Sequence, residues 1–263
     1  MTVRKPLAVV TGASSGIGRE LAILFAENGY DLLVCAEDEG LVVAAAQLRG
    51  LGAEVTVVRR DLRTPEAVEE LYAAIVATGR PVAAAALNAG VGRGGAFVET
   101  PLADLRGIVE LNVASTLHLA HLVLGDMVAR DEGRVLLTSS IASTMPGSYA
   151  AVYNASKSFV QSLAEALQDE LKDSRVTLTS LMPGPTETNF FHRAQMDDTA
   201  IGQAPKDDPA AVARQGFDAL LAGEDRVVAA SLMTKAQEVA AKVLPDKVKA
   251  RLHRKAAEPQ EDA

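Results

Sequence analysis

"LAVVTGASSGIGRE", Leu7 to Glu20, puts a strand, a glycine turn and the start of a helix into one short stretch. Its apolar opening suits a strand buried on both faces. Gly12 permits a tight turn, Gly16 lets a backbone approach a pyrophosphate, and Gly18 lets the helix pack on the strand. The helix N-terminus, with Ile17 in its first turn, offers free N–H groups and a partial positive charge to phosphates. Ser14 and Ser15 add hydroxyl donors. Three glycines alone also serve plain turns, but the strand before them and the helix after them are the context a dinucleotide cradle demands. The spacing is Gly-x-x-x-Gly-x-Gly rather than Gly-x-Gly-x-x-Gly.

Outward from this turn, short apolar runs alternate with helix-length segments along the chain. The runs are "LAVVTG", "DLLVCA", "AEVTVV", "VAAAAL", "GRVLLTSS", "RVTLTSLM" and "DRVVAAS". Nearly continuous apolar runs suit strands of a parallel sheet covered by helices on both faces. Thr64-Pro65, Thr100-Pro101 and Asp208-Pro209 each read as a capping side chain before a proline at the first helical position. The pattern predicts an α/β fold: a single doubly wound, Rossmann-type domain with a mainly parallel sheet of about seven strands and helices on both faces. Residues 1–232 form that domain in this reading, with a lid around 189–208. Residues 233–257 read as a helical extension broken at Pro245, and 258–263 as a disordered tail.

Composition narrows the class. The chain has 263 residues, enough for one sizeable core, and 48% are hydrophobic. No apolar run is expected to approach the ~18 residues of a membrane span. Met1 to Pro6 leads straight into the first strand and is wrongly flanked for a secretory signal. One cysteine, Cys35, excludes an internal disulfide and a multi-cysteine zinc site. A formal charge of −8 argues against a nucleic-acid binder. Lys247, Lys249, Arg251, Arg254 and Lys255 read as the solvated face of a last helix. The expectation is a soluble, cytoplasmic protein with no nucleic acid, membrane or metal partner.

"SYAAVYNASK", Ser148 to Lys157, holds two tyrosines and one lysine. On a helix, residues four apart share a face, so Tyr153 and not Tyr149 stands beside Lys157. A phenol titrates near ~10, and an adjacent positive charge lowers it. An isolated Tyr-x-x-x-Lys is most often just an aromatic and a surface lysine, so the other motifs decide. Thr11-Gly12-x-x-x-Gly16-x-Gly18, Asn88-Ala89-Gly90, Asn112, Ser140, Tyr153-x-x-x-Lys157 and Pro183-Gly184 occur in that order. Their order and spacing resemble the short-chain dehydrogenases/reductases, over roughly Leu7 to Ser231.

The resemblance implies a nicotinamide-dependent oxidoreductase acting on a small to medium, partly apolar alcohol or ketone. It implies Tyr153 as general acid/base and Lys157 as its electrostatic support and a ligand of the nicotinamide ribose. Ser140, at the end of the "GRVLLTSS" strand, matches the family's carbonyl-polarising serine. Ser139 competes with it but alternates to the other strand face. Asn112 resembles the asparagine that kinks a long helix and holds a relay water; a buried amide bonding to backbone fits its surroundings equally. Asn88, Ala89 and Gly90 resemble the turn flanking the cofactor, Asp61 with Leu62 the adenine contact, and Pro183, Gly184, Thr186 and Thr188 the carboxamide-holding segment. "VGRGG", after Gly90, reads as a mobile loop. His118 and His121 read as structural.

Cofactor choice falls at the end of the second strand, where an acid accepts from a ribose 2′-hydroxyl and a base pairs with a 2′-phosphate. Glu37, Asp38 and Glu39 stand there, with Glu37 the expected ribose contact, so NAD(H) is favoured over NADP(H). Arg59 and Arg60 lie near enough to reverse it. Family members commonly pair through the helices bearing Asn112 and Tyr153, which implies a homodimer or homotetramer. The competing function is a non-catalytic NAD(P)-binding regulatory protein on the same fold. The Asn112, Ser140, Tyr153 and Lys157 set speaks against it.

Overall fold

All seven apolar runs become strands of one sheet in a computed structural model, which describes residues 4–229 and 244–259. The strands are β1 (Leu7–Thr11), β2 (Asp31–Ala36), β3 (Val55–Arg59), β4 (Val82–Leu87), β5 (Gly133–Thr138), β6 (Val176–Pro183) and β7 (Arg226–Ala229). Every pairing is parallel, in the order β3-β2-β1-β4-β5-β6-β7. Burial on both faces explains the unbroken apolar character: every residue of β1 and β2 is buried. β3, at the edge, is only partly covered and alternates accordingly.

Two cores flank the sheet. One packs α1 (Gly16–Glu27), α2 (Gly40–Gly50) and α9 (Pro209–Ala222) against one face, with Phe25 and Phe217 edge-to-face at 5.0 Å. The other packs α3 (Pro65–Ala77), α5 (Thr116–Arg130) and α6 (Ala151–Glu170) against the opposite face. Helix α4 (Leu102–Ile108) runs into α5 through a π-helical turn, Val109–Ser115, which contains Asn112. The continuous helix 102–130 is long and apolar enough to cross a bilayer, but half of that stretch is buried in the protein. Its inner face, including Leu119, Val123 and Met127, lies in the core.

Two of the three expected caps form. Thr64 Oγ1 accepts from Ala67 N and Asp208 Oδ1 from Ala210 N, each at 3.2 Å. Thr100 does not cap α4, because its hydroxyl donates to Ala96 O at 2.9 Å and Pro101 holds the cap position.

The lid carries two short helices, α7 (Phe190–Arg193) and α8 (Ala200–Gln203). The helical extension falls partly outside the described residues. Its described part is α10 (Asp246–Ala257), which starts directly after Pro245. Ala257 is buried against Phe191, Ala194 and Met196 of the lid. Glu258 and Pro259, expected to begin a loose tail, are tied down instead. Glu258 accepts from the Tyr149 hydroxyl and from Arg254, and Pro259 bridges to Thr199.

Candidate active site

A cleft follows the C-terminal ends of the strands, where the order reverses between β1 and β4. Such a switch point is where open parallel sheets hold ligands. At one end lies the glycine turn. Gly12 and Gly16 take φ of +67° and +54°, the left-handed region that favours glycine. A Cβ on Gly18 would stand 2.2 Å from Gly12 O, so only hydrogen fits where α1 closes on the turn. Gly18 therefore sits behind the cleft, while Gly12, Ser14, Ser15, Gly16 and Ile17 line it.

The two serines separate. Ser15, exposed at the start of α1, makes no side-chain capping bond and keeps its hydroxyl for a ligand. Ser14 Oγ donates to Asp38 Oδ2 at 2.7 Å, and Asp38 Oδ1 accepts from Gly40 N at 2.9 Å. Ser14 is thus a tie between two turns rather than a free donor.

Past β2, Glu37 lines the cleft between two guanidinium groups. Arg63 donates to it at 3.0 Å, and Arg193 reaches it from the lid. Nothing in the local sequence pattern pointed to either arginine. Asp61 accepts from Arg63 Nε at 2.9 Å, and that hydrogen bond holds its carboxyl below the ordinary range. Leu62 is buried beside it. Cys35 also borders the cleft, and burial pushes its thiol up to about 12.

A chain of hydrogen bonds joins the glycine turn to α6. Thr11 Oγ1 accepts from Asn88 N at 3.0 Å and Ala89 N at 3.1 Å. Thr138 Oγ1 donates to Asn88 Oδ1 at 3.1 Å, and Lys157 Nζ donates to Thr138 O at 2.8 Å. Gly90 comes next, where a Cβ would lie 3.3 Å from both Asn112 Oδ1 and Lys157 Nζ. Asn112 does not border the cleft. Its Oδ1 accepts from Val91 N and its Nδ2 donates to Val91 O, both at 2.9 Å, and to Ser156 Oγ at 3.0 Å. The side chain expected to hold a relay water braces the β4 turn against α6.

At the other end, Tyr153 and Lys157 share a face of α6, with Lys157 Nζ 6.0 Å from the Tyr153 ring centroid. Ser140 hydrogen-bonds the Tyr153 hydroxyl. Ser140 Oγ also accepts from Ala142 N at 3.1 Å. Ser140 Oγ donates to Pro183 O at 3.4 Å and Ser139 Oγ to Lys157 O at 3.3 Å, so both serines also bond to backbone and Ser140 is set apart by the Tyr153 hydroxyl. Tyr149 turns away: at φ +63° its hydroxyl meets Glu258 and Arg254.

The electrostatics reverse one expectation. Burial pushes the Tyr153 phenol up to about 12, opposed by the Ser140 hydrogen bond. Burial pulls Lys157 down to about 8. Adjacency to Lys157 does not lower the phenol; burial sets the direction for both groups. Protein groups alone thus hold Tyr153 as a neutral proton donor at neutral pH.

Pro183, Gly184, Thr186 and Thr188 form the facing wall, with Thr186 Oγ1 donating to Gly184 O at 2.9 Å. Beyond them the lid lays Phe190 against Tyr153, ring centroids 5.1 Å apart. "VGRGG" packs tightly on the lid, unlike the mobile loop expected. A Cβ on Gly92 would fall 2.5 Å from Phe190 Cζ, and Gly94 N donates to Ala194 O at 2.8 Å. His253, on α10, also reaches the cleft and pairs with Ser148 O at 2.8 Å. His118 sits outside the site, paired with Glu69 at 2.7 Å.

The cradle fits a dinucleotide. The left-handed glycines leave backbone bare where a pyrophosphate would lie, and an acid closes the ribose end. Tyr153, Ser140 and Lys157 stand at the opposite end, at the reach of a nicotinamide.

A sequence profile described as short chain dehydrogenase matches residues 6–199. A very-long-chain 3-oxoacyl-CoA reductase of Laccaria bicolor is 31% identical over 66% of this chain, which spans only about half (53%) of that protein's length. Oxidoreductase UcpA of Salmonella typhimurium is 29% identical over 78% of this chain and 76% of its own. Among solved structures, a short-chain dehydrogenase from Sphingobium yanoikuyae in complex with NADPH superposes with TM-score 0.81 at 25% identity, covering 98% of each chain. One from Burkholderia phymatum in complex with NAD gives 0.83 at 24% identity, covering 100% of this chain and 99% of that one. The second likeness bears on the fold alone.

Proposed function

Since the chain belongs to the short-chain dehydrogenase family, we propose that it moves a hydride between NAD(P)(H) and a partly apolar alcohol or ketone, with Tyr153 passing the proton. One observation carries this reading: Tyr153, Ser140 and Lys157 converge at one end of a cleft whose other end is a glycine-rich phosphate cradle. The nicotinamide, when bound, supplies the hydride in reduction and takes it up in oxidation.

The protein's own groups do the rest. Ser140 donates to the substrate carbonyl oxygen and polarises it. As that oxygen gains negative charge, the neutral Tyr153 hydroxyl delivers its proton. A phenol near 12 remains far more acidic than an alcohol, so transfer to an alkoxide is downhill, and it stays protonated until needed. Lys157, titrating near 8, is mostly an ammonium at neutral pH and supports the phenolate left behind. Asn112 acts through Val91 and Ser156 as a positioning residue.

NAD(H) is the proposed preference over NADP(H). The carboxylates of Glu37 and Asp38 border the cleft past β2 and repel a 2′-phosphate. Arg63 and Arg193 temper that repulsion. Val109, Leu117 and Phe159 are exposed on the helices carrying Asn112 and Tyr153, which supports the proposal of pairing through them. A cytoplasmic setting is proposed on the single-cysteine composition.

The test follows nicotinamide absorbance with ketones and secondary alcohols for wild type and Tyr153→Phe. Losing the proton donor should cut turnover by about 100- to 10,000-fold while cofactor binding persists. Equal turnover in the two proteins would remove Tyr153 from the mechanism.

A further inference from the structure

The substrate end of the cleft sets the apolar side chains of Phe190, Phe191, Met196 and Ile201 beside the polar Asn154, Asn189 and His253 and one arginine. Arg93, in the β4–α4 loop, lines the cleft with its side chain 19% exposed. Its Nε is buried without a hydrogen-bond partner. None of its N–H groups donates to an acceptor among the described residues. Arg93 forms an ion pair with Asp104 on α4, Nε to Oδ2 3.4 Å, without hydrogen-bonding geometry. A guanidinium carries five donors, and leaving buried donors unmet is costly. Other cations border the cleft and donate hydrogen bonds to their partners, whereas Arg93 has its ion pair without one. Arg60 pairs with Glu70, Arg193 with Glu37, and Lys157 donates to Thr138 O.

Arg93 is also held where a substrate must pass. Gly92, just before it, packs on Phe190, which in turn packs on Tyr153. Gly94, just after it, is hydrogen-bonded to the lid at Ala194 O, and Gly95 N donates to Tyr149 O at 2.9 Å. The arginine is therefore anchored on both sides within a residue of the wall facing the reacting hydroxyl. Phe191, Met196 and Ile201 line the same cleft from the lid and offer no charge.

We propose that Arg93 receives a carboxylate carried by the substrate, so that the preferred substrates are keto acids and their hydroxy-acid counterparts with an apolar remainder. A planar fork of N–H donors matches a carboxylate bidentately, and such charge-assisted bonds are about twice as strong as neutral ones. Asp104, 44% exposed, is the ion-pair partner of Arg93 in the free protein and leaves the guanidinium without a hydrogen bond, which a substrate carboxylate would supply. This assignment rests on the hydride-transfer reading above for its chemistry, but not for its binding contact.

The experiment compares α-, β- and γ-keto acids with their methyl esters and with plain ketones of matched chain length, in wild type, Arg93→Gln and Arg93→Lys. Wild type should favour the acid of the best-fitting length. In Arg93→Gln the loss of kcat/KM on acids should exceed any loss on ester and ketone by roughly 10- to 100-fold, mostly through KM. Arg93→Lys should restore part of it, since charge returns without the fork. Equal losses on all three classes, or no acid preference in wild type, would overturn the assignment. Calorimetric titration with the corresponding fatty acid, which has no carbonyl to reduce, separates the two readings. If no ketone or alcohol turns over, hydride transfer fails; acid binding lost in Arg93→Gln would still uphold the arginine site, and unchanged binding would overturn it.

Discussion

Replacing Lys157 by methionine should make the protein more stable while removing its activity. Lys157 is 5% exposed, and its ammonium has one hydrogen-bond acceptor, Thr138 O at 2.8 Å. Burial lowers its pKa from 10.5 to about 8, which corresponds to a cost to the folded state of about 3 kcal/mol at neutral pH. Methionine matches the length and carries no charge, so that cost vanishes. The hydrogen bond to Thr138 O is lost as well, offsetting about 1 kcal/mol. The net expectation is a gain of about 2 kcal/mol, or about 4–8 °C in Tm for a chain of this size. The pH dependence identifies the cause. Below pH 8 the lysine is charged in both states, and the wild type bears the whole cost. Between pH 8 and 10.5 the folded state sheds the proton first, so wild-type stability rises relative to the variant. Above 10.5 the charge-related gap is gone. Paired urea titrations at pH 7 and at intervals up to pH 10.5 would read this directly. A methionine variant less stable than wild type at pH 7, or a gap that ignores pH, would refute the claim that Lys157 is held against its own desolvation.

Two further perturbations test other parts of the cleft. Glu37→Arg should raise NADP use relative to NAD, because a third guanidinium would join Arg63 and Arg193 where a 2′-phosphate would lie; an unchanged ratio of the two kcat/KM values would mean that Glu37 does not face the ribose. Gly18→Ala puts a Cβ 2.2 Å from Gly12 O, a backbone atom that cannot swing aside, so it should cost about 1–3 kcal/mol in urea unfolding and weaken dinucleotide binding measured by calorimetry; a variant with wild-type stability and affinity would show that α1 has room to retreat.

The sheet was legible because parallel strands buried on both faces leave almost no polar residue to confuse the pattern, as β1 and β2 illustrate. The glycine turn was legible because bare backbone and left-handed φ demand one residue type. Contacts between distant loops carry no such signature. Arg193 meets Glu37 across 156 positions, and only the path of the lid brings them together. Hydrogen-bond choice is equally hidden: Ser14 and Ser15 are neighbours of one type, yet Asp38 engages the first and leaves the second free. The same reasoning explains Arg93, which stands in a stretch read as a mobile loop until Phe190 and the lid backbone pack on its glycines. Tyr153 and Lys157 show the deeper divide. Helical spacing correctly predicts that they are neighbours, and Coulomb attraction then argues for an acidic phenol. Burial is set by every element around the pair, and it moves both groups toward neutrality. Adjacency is a property of four residues of helix, whereas the medium in which two charges interact belongs to the whole fold.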